Sequence, residues 1–163
     1  LQSAATDRAA FVAAIEAELN AYGELCRLLQ DEQDTLQRGD AEGLQQLTER
    51  KSAHIERLAE LAASRTTFLT RMQLPATPAG MDIWLRDHAG GQRESVSEAW
   101  QRLLAAAREA RTLNELNGSL VTLRLNHGQA ALAALHQVGS QQLFYGPDGQ
   151  SQFKPAGREL GRA

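Results

Sequence analysis

Residues 113–138 read LNELNGSLVTLRLNHGQAALAALHQV, and the spacing of their apolar side chains decides the fold. At ~100° per residue, Leu113, Leu116, Leu120, Leu123, Ala131, Ala134 and Val138 line one helical stripe, while Val121, Leu125, Leu132 and Leu135 line a second beside it. The two stripes together take up roughly 200° of the helix circumference, whereas a helix that faces only its own core needs little more than ~100°. Either a bundle closes over both stripes, or one of them is kept for another protein.

Toward the N-terminus the same helix extends through Ala107, Leu104, Leu103, Trp100 and Val96, and Ser95-x-x-Glu98 reads as a capping box for its start. This third helix is expected over about 95–138. Gly118 and Gly128 each cost ~1 kcal/mol relative to Ala in a helix interior and mark where it could bend. The sequence leaves open whether it is one rod or is broken there. Pro75, Pro78 and Gly80 on one side and Gly90-Gly91 on the other delimit a linker, 73–94, in which MDIWL (81–85) predicts one helical turn laid over the end of the bundle.

Further upstream, Val12, Ile15, Leu19, Tyr22, Cys26, Leu29, Gln33 and Leu36 alternate in steps of three and four, the seam of a long coiled-coil-like helix over about 7–38. Thr6 or Asp7 is placed to cap its start and Gly39 to end it. Asp40 then caps a second helix over about 41–72, with Leu44, Leu47, Ile55, Leu58, Leu61, Ala62, Phe68, Leu69 and Met72 apolar. A two-residue turn forces the two helices antiparallel. Lys51, His54 and Arg65 also fall near the inward side, so the pairing is looser than a zipper. The fold class is therefore all-α: a long antiparallel hairpin packed with a third long helix in a coiled-coil-like bundle. Residues 1–138 form the helical body, and the Gly, Pro, Ser and Gln content of 139–163 predicts a flexible C-terminal tail.

Composition agrees. Hydrophobic residues make up 42% of the 163 positions but aromatics only 5%, a balance that suits helix over sheet because few β-branched or aromatic side chains are present. A net charge of −3 with acids and bases interspersed gives no electrostatic footprint for nucleic acid. No apolar run reaches the ~20 residues of a membrane span, so no stable membrane insertion is expected, and a soluble, cytoplasmic protein is the default. Cys26 is the single cysteine; on an apolar seam it behaves as a small hydrophobe and not as a nucleophile. Asp31, Glu32 and Asp34 read as a solvated face. The four histidines, His54, His88, His127 and His136, match no zinc spacing. No metal, no cofactor and no enzymatic activity is expected.

Asn114 and Asn117 lie three apart on one face beside Leu113, Leu116 and Leu120, with Gly118 adjoining. If buried they must find partners, since an unmet polar group costs ~1–3 kcal/mol. They either fix packing register or a local bend, or touch a partner directly. Leu143, Phe144 and Tyr145 precede the turn signal Pro147-Asp148-Gly149, and three large apolar groups in a row favour docking onto something.

The pattern GDAEGLQQLTERKSAHIERL from Gly39, LNELNGSLV from Leu113 and LFYGPDGQ from Leu143 resembles flagellar export chaperones of the FlgN type, over most of the chain and in the same order. The resemblance implies a cytoplasmic chaperone that binds hook–filament junction (hook-associated) proteins, keeps them from premature assembly, and delivers them to the flagellar type III export gate or export ATPase complex. It assigns client binding to the C-terminal amphipathic region, here Leu120, Val121, Leu125, Leu132, Leu135 and Val138, and export-gate docking to Tyr145. The alternative from the residues alone is a structural or adaptor coiled-coil protein that self-associates through the same helix. A homodimer in the client-free state would use that surface too.

Overall fold

The computed structural model describes residues 2–142, with side chains for residues 6–137. The expectation of an all-α fold holds. Among the described residues four α-helices follow one another: α1 (Gln2–Arg38), α2 (Ala41–Arg71), α3 (Pro78–Asp87) and α4 (Arg93–Gln142), with a 3-10 turn at Gly90–Gln92 before the last. No strand occurs among the described residues. The chain divides into two units, Leu1–Val121 and Thr122–Ala163.

In the first unit the hairpin turn needs two residues. Gly39 takes φ 76°, and its N–H donates to the Leu36 carbonyl while that of Asp40 donates to Thr35. Two orphan carbonyls of α1 are thereby satisfied in a Schellman arrangement. Asp40 then starts α2 by accepting the Gly43 N–H at 2.9 Å. The same closure recurs at the end of α2, where Leu74 N–H donates to Leu69 and the left-handed position is filled by Gln73 at φ 59°.

α3 exceeds expectation: ten residues are helical where one turn over 81–85 is predicted. Pro78 opens it with a preset φ and no N–H to satisfy. Gly80 packs so closely that a Cβ would lie 1.8 Å from the Pro75 carbonyl oxygen. The helix inserts Met81, Trp84 and Leu85 between Phe11 and Ile15 of α1, Leu69 of α2 and Val96, Trp100 and Leu103 of α4. Phe11 and Phe68 stack at 3.9 Å, with Trp84 edge-on to Phe11 at 4.7 Å. A second cluster, further along α1, joins Leu25, Cys26 and Leu29 to Leu58 and Leu61 of α2 and to Ala110 of α4.

Two helix starts differ from the sequence reading. α1 begins at Gln2, before the Thr6 and Asp7 caps expected for it. α4 begins at Arg93 because the 3-10 turn feeds directly into it, so Ser95 sits inside the first turn and its hydroxyl donates to the Gln92 carbonyl in place of capping a backbone N–H.

The α1 seam is also wider than its expected register. Burial covers Phe11, Glu18, Leu25 and Glu32 as well as Ile15, Leu29 and Leu36, because α1 packs against α2 on one side and α4 on the other. Glu32 is therefore buried and not part of a solvated face. It pairs with Lys51 of α2, just as Glu18, 1% exposed, pairs with Arg65 through two hydrogen bonds of 2.8 and 3.1 Å.

Candidate functional site

The second unit begins where burial on α4 stops. Asn117 is buried and Leu120 half-buried, but every described residue from Val121 to Gln137 is exposed. Within this stretch Leu125 is 61% exposed, Leu132 60% and Leu135 68%, with Val121 and Leu123 likewise open. Leu123 belongs to the first stripe, whereas Val121, Leu125, Leu132 and Leu135 belong to the second, so neither stripe is closed over this length. Fully burying side chains of this size is worth ~1.5–3 kcal/mol each, so leaving several of them open on one helix forgoes a sizeable stabilisation.

The helix survives there through local propensity. Ala130, Ala131, Ala133 and Ala134 alternate with leucines and glutamines, the residue types that lose least on entering a helix. Gly118 and Gly128 both lie inside continuous helical backbone, and a Cβ added at either would meet open space. Val138 is in α4 but its side chain lies outside the described ones, and Tyr145 lies outside the described residues altogether.

The two asparagines part company. Asn114 is exposed, whereas Asn117 is 3% exposed and its amide donates to the Leu29 carbonyl and to Glu32 Oε2, both at 2.8 Å. Its Oδ1 is buried with no hydrogen-bond partner. Glu32 thus receives Lys51 from α2 on one oxygen and Asn117 from α4 on the other, which ties all three long helices together. Two heptads away Arg65 does the same, forked onto Glu18 of α1 with its guanidinium 5.1 Å from the centre of the Trp100 ring of α4.

A shallow apolar groove runs between α2 and α4, floored by Tyr22, Leu25 and Leu29 and edged by Ile55 and by the small side chains of Ala107 and Ala110. Burial holds the Tyr22 hydroxyl above its usual range; the Glu18 carboxylate adds to this and Arg65 opposes it. Burial likewise pushes the Cys26 thiol up, with Glu109 contributing, and the thiol donates to the Ala106 carbonyl at 3.5 Å. A raised thiol has little thiolate and is a poor nucleophile. Among the described residues no group of three His, Cys, Asp or Glu could hold a metal ion, and no helix is long and apolar enough to cross a membrane.

The two buried carboxylates are what sequence reading missed, and a signal for them exists. Glu18 and Glu32 are fourteen residues apart on α1, and Lys51 and Arg65 are fourteen apart on α2. In an antiparallel hairpin that matched spacing brings each acid to one base, two heptads apart.

In comparison with known proteins, a family model described as FlgN protein matches residues 8–152. No curated protein and no solved structure matches the chain.

Proposed function

From the premise that the chain belongs to the FlgN family of flagellar export chaperones, a family of binding proteins and not of enzymes, we propose that it captures hook–filament junction subunits through Leu120, Val121, Leu125, Leu132, Leu135 and Val138 of α4. It works in the cytoplasm, where it covers the apolar seams of subunits that have not yet assembled and delivers them to the export gate or its ATPase complex. The tail beyond Val138 carries Tyr145 as the docking residue for that machinery. Asn117 acts inward, on the bundle.

The observation that carries this reading is the exposure of Leu125, Leu132 and Leu135 together on one helix. A client helix laid along such a face completes a helix-in-groove arrangement, which needs no nucleotide or metal. Replacing Leu125 and Leu132 with Glu is expected to abolish binding of a purified junction subunit while leaving the far-ultraviolet circular dichroism and melting temperature unchanged. Loss of the whole fold would show these leucines to be core, and unchanged binding would place the client elsewhere. Tyr145→Ala should spare client binding and reduce export; lost client affinity would contradict its role.

The same face could instead pair with a second copy. That alternative predicts an obligate homodimer in sedimentation that ignores junction subunits, whereas the chaperone reading predicts a stable heterocomplex on their addition.

A further inference from the structure

No contact among the described residues calls for glycine at position 128. Gly128 lies inside unbroken helix, its φ is not positive as those of Gly39 and Gly90 are, and a Cβ placed on it would meet only open space. Alanine would fit there and would favour the helix. The place of Gly128 in the register is another matter. Val121 and Leu125 stand seven and three residues before it, and Leu132 and Leu135 four and seven after it, so it occupies the middle of the second apolar stripe. All five positions are exposed. Gly128, Ala131, Leu132 and Leu135 stand at i, i+3, i+4 and i+7, the four positions that outline a hole for a side chain from a facing helix. With Gly and Ala on one side and leucines on the other, that hole is a recess in an otherwise bulky ridge.

Resting on the reading of this face as the client site, we propose that the recess at Gly128 takes one large aliphatic side chain of the client helix, and so sets which helix, and in which register, the face accepts. Continuity with the bundle's own interface chooses this occupant. Gly128 lies eighteen residues beyond Ala110, about five whole turns at ~100° per residue, so the two hold the same place in the α4 register. Ala110 is 4% exposed and is buried in one cluster with Leu25 and Leu29 of α1 and Leu58 and Leu61 of α2. Where α4 offers a small residue on this face, its neighbours bring leucines to it. A small side chain in the recess at Gly128 would leave a void and forfeit contacts. The residues four before and four after Gly128 are Arg124 and Leu132, so no track of small residues lets a second helix lie backbone to backbone there.

The test measures Kd between the full-length chain and a purified hook–filament junction subunit for Gly128→Ala and Gly128→Leu, with Gln129→Ala as a variant outside both stripes. Filling the recess is expected to weaken binding in step with size, ~10-fold for Gly128→Ala and over ~100-fold for Gly128→Leu, with Gln129→Ala within ~2-fold. Gly128→Ala should at the same time raise the helical signal in far-ultraviolet circular dichroism, so its weaker binding cannot come from a damaged helix. Unchanged or tighter binding by both variants would show that no side chain enters the recess. Equal losses for Ala and Leu would show that the helix has to bend at Gly128. Either result overturns the proposal and leaves the client site standing, provided Leu125→Glu/Leu132→Glu still abolishes binding. No binding by the unaltered chain overturns the client reading, and this inference with it. If Gly128→Leu abolishes self-association in sedimentation but spares subunit binding, the recess belongs to a second copy and the proposal fails.

Discussion

Glu18 shows how much depends on a single pairing in this bundle. Its carboxylate is out of water and is satisfied by the two-pronged Arg65 guanidinium, which in turn lies against Trp100. Removing one member of such a pair leaves an uncompensated charge in the core, at ~3–5 kcal/mol, whereas replacing both with apolar side chains of similar volume is often neutral. Arg65→Met is accordingly expected to lower stability by about 3–5 kcal/mol in urea unfolding, and Glu18→Leu/Arg65→Met to recover most of that loss. If the double variant were as unstable as the single, the ion pair would not be the source of the effect. Asn117 belongs to the same class of buried polar tie, though its orphan Oδ1 means that it holds α4 to α1 less economically than it could. The sequence marks Asn117 as a residue that needs partners if buried, but it does not mark Glu32. A helical wheel drawn for α1 alone leaves Glu32 outside, and only its matching interval to the inward-falling Lys51 of the next helix reveals that the acid faces in as well.

At the scale of elements, turn chemistry was the most readable part of the hairpin. Gly39 and Asp40 carry local conformational signals that owe nothing to distant contacts, and they end α1 and start α2 where the sequence places them. The start of α4 was less readable, because Ser95-x-x-Glu98 has the pattern of a cap while the preceding Gly90–Gln92 turn supplies the helix start two residues earlier. The length of α3 was legible only in part, since its helical state depends on Met81, Trp84 and Leu85 finding partners from three other helices. The connection that precedes it leads to a prediction. Gln73 occupies a left-handed position that costs an L-residue ~1–2 kcal/mol and that glycine fills freely. Gln73→Gly should therefore stabilise the protein by ~0.5–1 kcal/mol, a rise of a few degrees in melting temperature. A fall would mean that the unfolded chain's added freedom outweighs the relief.

For the whole molecule, the proposed division is that stability and binding draw on different parts of the sequence. Among the described residues the buried side chains, from Phe11 to Asn117, all belong to the first unit, and the exposed leucines described in the second are expected to contribute little to holding it together. A chain ending at Val121 is expected to melt within ~2 °C of the full chain and to lose client binding; a large drop in melting temperature would show that the second unit supports the first. The width of the apolar surface was fully legible, since two stripes over roughly 200° need no structure to see. Which part of it is enclosed was not legible. Leu113 packs against the core and Leu123 does not, and nothing in the local pattern of either distinguishes them, because the difference lies in where α1 and α2 offer partners.

The fourteen-residue interval between the two acid–base pairs reaches further than register. Sliding α2 by one heptad in either direction would bring Leu58 or Met72 opposite Glu18, and Leu44 or Leu58 opposite Glu32, stranding both anions against hydrocarbon. A foreign leucine-rich helix trying to displace α2 from α1 would meet the same obstacle. The matched interval in this way guards the hairpin against exchanging one of its own helices for another of similar apolar pattern.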